Sequence, residues 1–170
     1  NLMYTGYKEN NGPFVIRYPR GKGEMADWRN EMHVLPIGKG KKLRDGDDIA
    51  ILSLGPIGNE VIKAIKEIEG DGISIAHYDM IYLKPMDEEL LHEVGKKFSR
   101  IITVENGVIR GGLGSAVLEF MADNGYTPKI KRIGVPDEFV EHGPISELYK
   151  LCGMDAKCIA EEIKKMVIGG

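Results

Sequence analysis

Ile101-Ile102-Thr103-Val104-Glu105-Asn106-Gly107-Val108-Ile109-Arg110-Gly111-Gly112-Leu113-Gly114-Ser115 is the stretch that decides the fold. Residues 101–104 form an apolar run that reads as a buried strand, and Glu105-Asn106-Gly107 reads as the polar turn that ends it. Residues 116–121 open an apolar-periodic helix. Strand, glycine-rich turn and helix start make half of a βαβ unit. Glycines there allow positive φ and let the helix approach the sheet closely. They also leave amide donors at a helix N-terminus, where an anion is stabilised. The spacing is not G-x-G-x-x-G, and no acidic residue of the expected kind follows about 20 residues on. Two readings stand: a packing turn, which base rates favour, and an anion site with Gly112, Gly114 and Ser115 as contacts.

The same rhythm extends in both directions. Upstream, Ile49–Leu54 is a buried strand, and residues 59–67 are an amphipathic helix with Val61, Ile62, Ile65 and Ile68 inward. Residues 73–78 are the next strand. Asp87 suits the N-cap of a helix through Phe98, with Glu88 and Glu89 in its first turn and Leu90, Leu91, Val94 and Phe98 on its core face. Downstream come a helix over 115–124, a strand over Lys129–Val135, a loop holding His142-Gly143-Pro144, and helices over Ile145–Leu151 and 155–167. This alternation predicts an α/β fold, a mostly parallel sheet with helices on both faces. At the other end, residues 1–9 read as the tail of a helix, stopped by Asn10-Asn11-Gly12-Pro13, and 14–18 as a strand. Residues 21–46 read as a linker anchored by Trp28. It ends in a short edge strand, Lys41–Arg44, closed by Asp45-Gly46.

Composition narrows the function classes. The 170 residues are 42% hydrophobic and 29% charged, which suits a globular domain with a real core. A net charge of −3 gives no global basic field for nucleic acid. No apolar run nears the ~20 residues of a membrane span. Cys152 and Cys158 have neither C-x-x-C spacing nor a His pair at zinc spacing, so they read as free thiols in a reducing, cytoplasmic setting. The opening Asn1-Leu2-Met3-Tyr4 reads as a cut through a longer polypeptide.

Few groups suggest chemistry. Glu105 follows a buried strand and points into the crevice where α/β sheets collect ligands, as a ligand contact or as the cap of the next helix. His142, near Asp137, Glu138 and Glu141, is a general base or a structural histidine. His77 reads as a core or edge residue, and His33 and His92 as exposed. Arg20, in the turn Pro19-Arg20-Gly21, is either a surface arginine or a fork for phosphate or carboxylate. Ser115 has no G-x-S-x-G elbow, Gly38-Lys39-Gly40 lacks P-loop spacing, and no carboxylate cluster has metal spacing. No catalytic residue and no metal ligand is assigned.

Several strings together carry a resemblance. Ile16-Arg17-Tyr18-Pro19-Arg20-Gly21, Leu35-Pro36-Ile37-Gly38-Lys39-Gly40, Asp79-Met80 with Leu83-Lys84-Pro85-Met86-Asp87, Thr103-Val104-Glu105-Asn106 with Gly111-Gly112-Leu113-Gly114-Ser115, and Gly134-Val135-Pro136-Asp137-Glu138-Phe139-Val140-Glu141-His142-Gly143 occur in order over nearly the whole chain. Their sum resembles the 1-deoxy-D-xylulose-5-phosphate synthases. The resemblance implies a three-layer α/β/α sandwich around a five-stranded, mostly parallel sheet with one antiparallel edge strand. It divides the chain into the tail of a pyrimidine-binding domain (1–20), a linker and edge strand (21–46) and a transketolase C-terminal-like domain (47–170).

It also implies a parent enzyme that condenses pyruvate with D-glyceraldehyde 3-phosphate and releases carbon dioxide. Such an enzyme uses thiamine diphosphate and Mg, and serves isoprenoid, thiamine and pyridoxal synthesis. Arg20 matches the arginine that grips the aldehyde's phosphate. The family's G-D-G…N motif and its catalytic Glu are not found in this chain. The fragment is therefore expected to be inactive alone, to bind no cofactor, and to serve structure and dimerisation. A homodimer follows from the family and from the apolar face Ile159, Ile163 and Val167. Ile81 stands where the family often has Arg, and Asn106 where a second acid is common. Two alternatives remain: a non-catalytic anion-binding or interaction module, and the C-terminal domain of a transketolase or of a 2-oxo-acid dehydrogenase β subunit. The Arg20 and His142 signatures argue against the dehydrogenase subunit.

Overall fold

The computed structural model of the protein describes residues 1–9, 12–18 and 29–169. Alternation along the strands builds two cores at once. On β2 (Ile49–Leu54), Ile49 and Ile51 face one side, and Ala50 and Leu52 the other. On β4 (Arg100–Val108), Ile102 and Val104 join the first core and Ile101 the second. Strands buried on both faces are what a parallel sheet under two helical layers requires. α2 (Gly58–Glu67) and α6 (Ala156–Ile168) cover the first face, and α3 (Glu88–Lys97) and α4 (Leu113–Asp123) the second.

The sheet order is β1-β3-β2-β4-β5, with β3 at Ile75–Asp79 and β5 at Lys129–Val135. β1 (Lys41–Arg44) runs antiparallel to β3, and the other pairs are parallel. Two shorter helices, α1 (Leu2–Glu9) and α5 (Ile145–Leu151), lie outside this frame. The three layers and the antiparallel edge strand agree with the expected sandwich.

Two local contacts set the edge. The Asp87 side chain caps α3, accepting from Leu90 N at 3.1 Å, and it also accepts from Gly40 N at 2.9 Å. One carboxylate thus starts a helix and pins the incoming linker. Gly40 must lack a side chain, since a Cβ would lie 2.8 Å from Leu90 Cδ1 and 3.0 Å from the Asp79 carbonyl. A Cβ on Gly46 would overlap the Ile75–Ala76 backbone, which fixes the sharp entry into β2.

Several expectations change. Residues 14–18 are extended but join no ladder among the described residues, and Val15 is 92% exposed. β-forming composition alone does not make a strand, and the segment pairs with neither edge of the sheet, β1 or β5. β4 continues through Glu105-Asn106-Gly107 to Val108 rather than ending there, because a bulge absorbs the polar residues: β4 advances from Val104 to Val108 while β5 advances from Ile133 to Val135. β3 begins at Ile75, not at residue 73. In α2, Ala64 rather than Ile62 faces the core. His92 is half-buried, bonded to Tyr126 Oη at 3.0 Å and set against the Phe120 ring. Ile159 and Ile163 are fully buried in the core they share with α2, so that face of α6 is already used and offers nothing to a dimer. Trp28 lies outside the described residues.

His77 is a core residue, with Nε2 2.9 Å from Ser53 Oγ beneath the first turn of α2. Burial lowers its pKa from 6.5 to about 4. Above pH 6.5 neither the folded nor the unfolded chain holds this proton. Between 6.5 and 4 only the unfolded chain does, so stability falls as pH falls. Urea unfolding of wild type and His77→Gln across this window should show wild type losing about 3 kcal/mol relative to the variant.

Candidate functional site

The glycine turn is organised by a carboxylate from within the chain. Alternation along β4 puts Glu105 on the α4 side of the sheet with Ile101 and Thr103, 4% exposed. One of its oxygens accepts from Leu113 N at 2.8 Å, and the other from Gly114 N at 2.9 Å. Both amides are among those that a helix N-terminus leaves without an internal partner. The positive end of the helix dipole faces the negative charge. Of the two roles open to Glu105, these hydrogen bonds are those of the helix cap.

The glycines serve the same contact. A Cβ on Gly112 would overlap the Glu105 carboxylate, and one on Gly114 would lie 2.7 Å from Arg132 Cδ and 2.8 Å from Thr103 Oγ1. Gly111, at φ +75°, takes a turn that L side chains resist, and its N–H donates to Ser115 Oγ at 2.9 Å. Ser115 Oγ also accepts from the Arg132 guanidinium at 3.2 Å, and that guanidinium donates to the Ile109 carbonyl at 3.0 Å. Glu105, Gly112, Gly114 and Ser115 therefore meet in one cluster. Arg132 completes it from β5. The alternation of Lys129–Val135 places Arg132 on the α4 side, but only the structure shows its partners.

His142 lies elsewhere. It lines an open cleft of about 750 Å³ with Arg17, Tyr18, Asn106 and Tyr149, between the 12–18 segment and the loop leading into α5. The cleft wall is largely apolar, and across it Asn106 Nδ2 donates to Tyr149 Oη at 3.1 Å. Asn106 thus points away from Glu105, toward α5. Arg20 lies outside the described residues. Among the described residues, no group of His, Cys, Asp or Glu is placed to hold a metal ion. Gly70-Asp71-Gly72 shares three letters with the diphosphate motif of thiamine enzymes. It lies at the opposite, amino end of β3, with Asp71 paired to Lys164 at 2.7 Å. Cys152 borders the cleft, whereas Cys158 sits on α6 beside the Asp155 cap, which raises its thiol pKa to about 11 together with burial.

Residues 38–159 match the family model described as "Transketolase, C-terminal domain". The chain belongs to this family. It is 79% identical over 165 residues to a 1-deoxy-D-xylulose-5-phosphate synthase of Parabacteroides distasonis, a match that covers 97% of this chain and 26% of that protein. A synthase of Bacteroides fragilis is 58% identical over 165 residues, covering 96% of this chain and 26% of that protein. The chain thus spans about a quarter of the length of these relatives. A solved split-gene transketolase, described as an inactive β4 tetramer, superposes with a TM-score of 0.71. It is 32% identical, over 80% of this chain and 43% of the other. This transketolase-type domain has the mixed sheet and flanking helices expected of it.

If the glycine turn exists to receive Glu105, the two are energetically coupled. Glu105→Ala and Gly112→Ala should each lower unfolding free energy by on the order of 2 kcal/mol. The double variant should lose less than the sum by about 0.5 kcal/mol or more, because the added methyl then meets no carboxylate. Urea denaturation of the four proteins measures the cycle.

Proposed function

We propose that this chain is the C-terminal part of a 1-deoxy-D-xylulose-5-phosphate synthase. The full-length enzyme would condense pyruvate with D-glyceraldehyde 3-phosphate, releasing carbon dioxide, in the cytoplasm. The observation that carries the reading is the 79% identity to a synthase over 97% of the chain. The same reading assigns residues 1–20 to the end of the pyrimidine-binding domain and 47–170 to the C-terminal domain, with Arg20 holding the aldehyde's phosphate through its planar fork.

Thiamine diphosphate and Mg would supply the carbanion chemistry when bound to the full-length enzyme. The residues of this chain do not suit that cofactor. Among the described residues, the glycine-rich helix start whose amides face an anion already holds the Glu105 carboxylate, whose charge would repel a diphosphate. No step of the reaction is therefore assigned to these residues, and the chain by itself should neither bind the cofactor nor turn over. Its role would be to support the fold and a homodimer. The split-gene transketolase relative, described as an inactive β4 tetramer, supports the reading of an inert part that self-associates. Since Ile159 and Ile163 are spent inside the domain, the dimer contact would use other surfaces.

Pyruvate, glyceraldehyde 3-phosphate, thiamine diphosphate and Mg should give product with the full-length protein and none with the 170-residue chain. Arg20→Ala in the full-length protein should raise KM for the phosphorylated aldehyde by about tenfold or more while sparing KM for pyruvate, as loss of a charge-assisted contact predicts. Turnover by the short chain would overturn its assignment as an inert part.

A further inference from the structure

A strained turn follows β3. Ile81 has φ +56°, and around it Tyr82 N donates to the Met80 carbonyl at 2.5 Å, closing a three-residue turn. A β-branched residue at positive φ persists only where its surroundings over-determine it. Here they do so from both sides. Asp79 Oδ1 accepts the Ile81 N–H at 3.1 Å, and Met80 is fully buried in the second core. The turn reverses the chain so that Met80 enters the core and Tyr82 rises beyond the carboxyl end of the sheet.

Tyr82 is 7% exposed because the N-terminal segment covers it. The Phe14 ring meets the Tyr82 ring edge-on, with centroids 6.4 Å apart and planes at 89°. Behind Phe14 stands α1: a Cβ on Gly6 would lie 2.9 Å from the Phe14 ring, so the helix is in direct contact with it. Thr5, fully buried on the same helix, accepts from Leu35 N at 2.9 Å and so stitches α1 to the strand-side linker. Phe14 is thus gripped between α1 and Tyr82. Three and four residues later, Arg17 and Tyr18 line the cleft with Asn106 of β4 and Val135 of β5. The segment therefore crosses the carboxyl edge of the sheet, from β3 to β4 and β5, where α/β proteins bind ligands.

We infer that the Ile81 turn and Tyr82 form a seat that sets the register of the 14–18 segment across this edge, making Tyr82 a positioning residue for the aldehyde substrate. The inference rests on the proposed synthase reading, because the segment leads within two residues of Tyr18 to the arginine assigned to the phosphate. Tyr82 touches no substrate. It acts through Phe14.

The test uses the full-length enzyme with Tyr82→Ala, Tyr82→Phe, Phe14→Ala and the Tyr82→Ala/Phe14→Ala pair. Phe14 is half-exposed, so its truncation tests the seat even if Tyr82→Ala fails to fold. Tyr82→Ala and Phe14→Ala should each raise KM for glyceraldehyde 3-phosphate by about threefold to tenfold, the worth of one aromatic pair, with KM for pyruvate and kcat changed by less than about twofold. Tyr82→Phe keeps the ring contact and should behave as wild type. The double variant should be no worse than either single one. An unchanged aldehyde KM in folded Phe14→Ala, or equal rises for both substrates, would overturn the seat while leaving the synthase reading intact. A wild-type enzyme without synthase activity would overturn both.

Discussion

The carboxylate of Glu105 against the first turn of α4 is the contact on which this half of the fold depends. A buried negative charge is tolerable only when donors surround it. Here two backbone amides and the positive end of a helix supply them. The arrangement fixes its neighbours. Gly112 must lack a Cβ to make room for the carboxylate. Gly114 must lack one so that α4 can press on Thr103 and Arg132. Gly134, in the next strand, is drawn in as well, since a Cβ there would lie 3.2 Å from Glu105 Cγ and 3.1 Å from the Gly107 carbonyl. An anion site was one reading of this turn, and the chain itself provides the anion.

Two pairs of the segments that carry the family resemblance are, in three dimensions, matched halves of internal contacts. Ile37-Gly38-Lys39-Gly40 meets Asp87 of the Lys84-Pro85-Met86-Asp87 string through the Gly40 amide and the Lys39 ammonium. Gly38 lies against the Pro85 ring, 3.0 Å from where its own Cβ would stand. Val104-Glu105 meets Gly112-Leu113-Gly114. Such pairs report on a shared fold more than on shared chemistry. That explains how a domain can match synthases so closely while its most suggestive residues are engaged in holding it together. By contrast, the Arg110–Asp137 pair, 3.7 Å apart and exposed on both sides, adds little to stability.

How much of this was legible in the sequence follows from the range of each interaction. The buried strands were readable because two-sided burial leaves continuous apolar runs, and β2 and β5 fall where the sequence places them. Asp87 was readable as an N-cap because a cap acts within three residues, whereas its second partner, Gly40, was not. Ile62 was misjudged because an apolar side chain on a helix does not reveal which of two adjacent stripes the sheet covers. Residues 14–18 look like a strand by composition. Strand identity needs a paired neighbour, and the segment pairs with neither edge strand, β1 or β5. The Glu105 cluster was half legible. Its residues stood together in the string, but whether the anion came from outside or from the preceding strand depended on the path of the glycine turn, which no periodicity records.

The two ends of the carboxyl edge differ in a way that separates stability from function. At the β4–α4 end the donors are consumed by Glu105, the apolar layers are closed, and a substitution is felt by the whole domain. At the β3 end the chain keeps Ile81 in a backbone conformation that its side chain opposes, and the product of that strain is an aromatic surface meeting one ring of the N-terminal segment. Strain persists only where the surroundings hold it, and here it sends Met80 into the core and Tyr82 to the carboxyl edge. Tyr82 meets the N-terminal segment edge-on at Phe14 and belongs to neither of the two apolar clusters. Its ring is therefore spent on holding the segment that crosses the edge, while the two clusters that carry the platform are built without it.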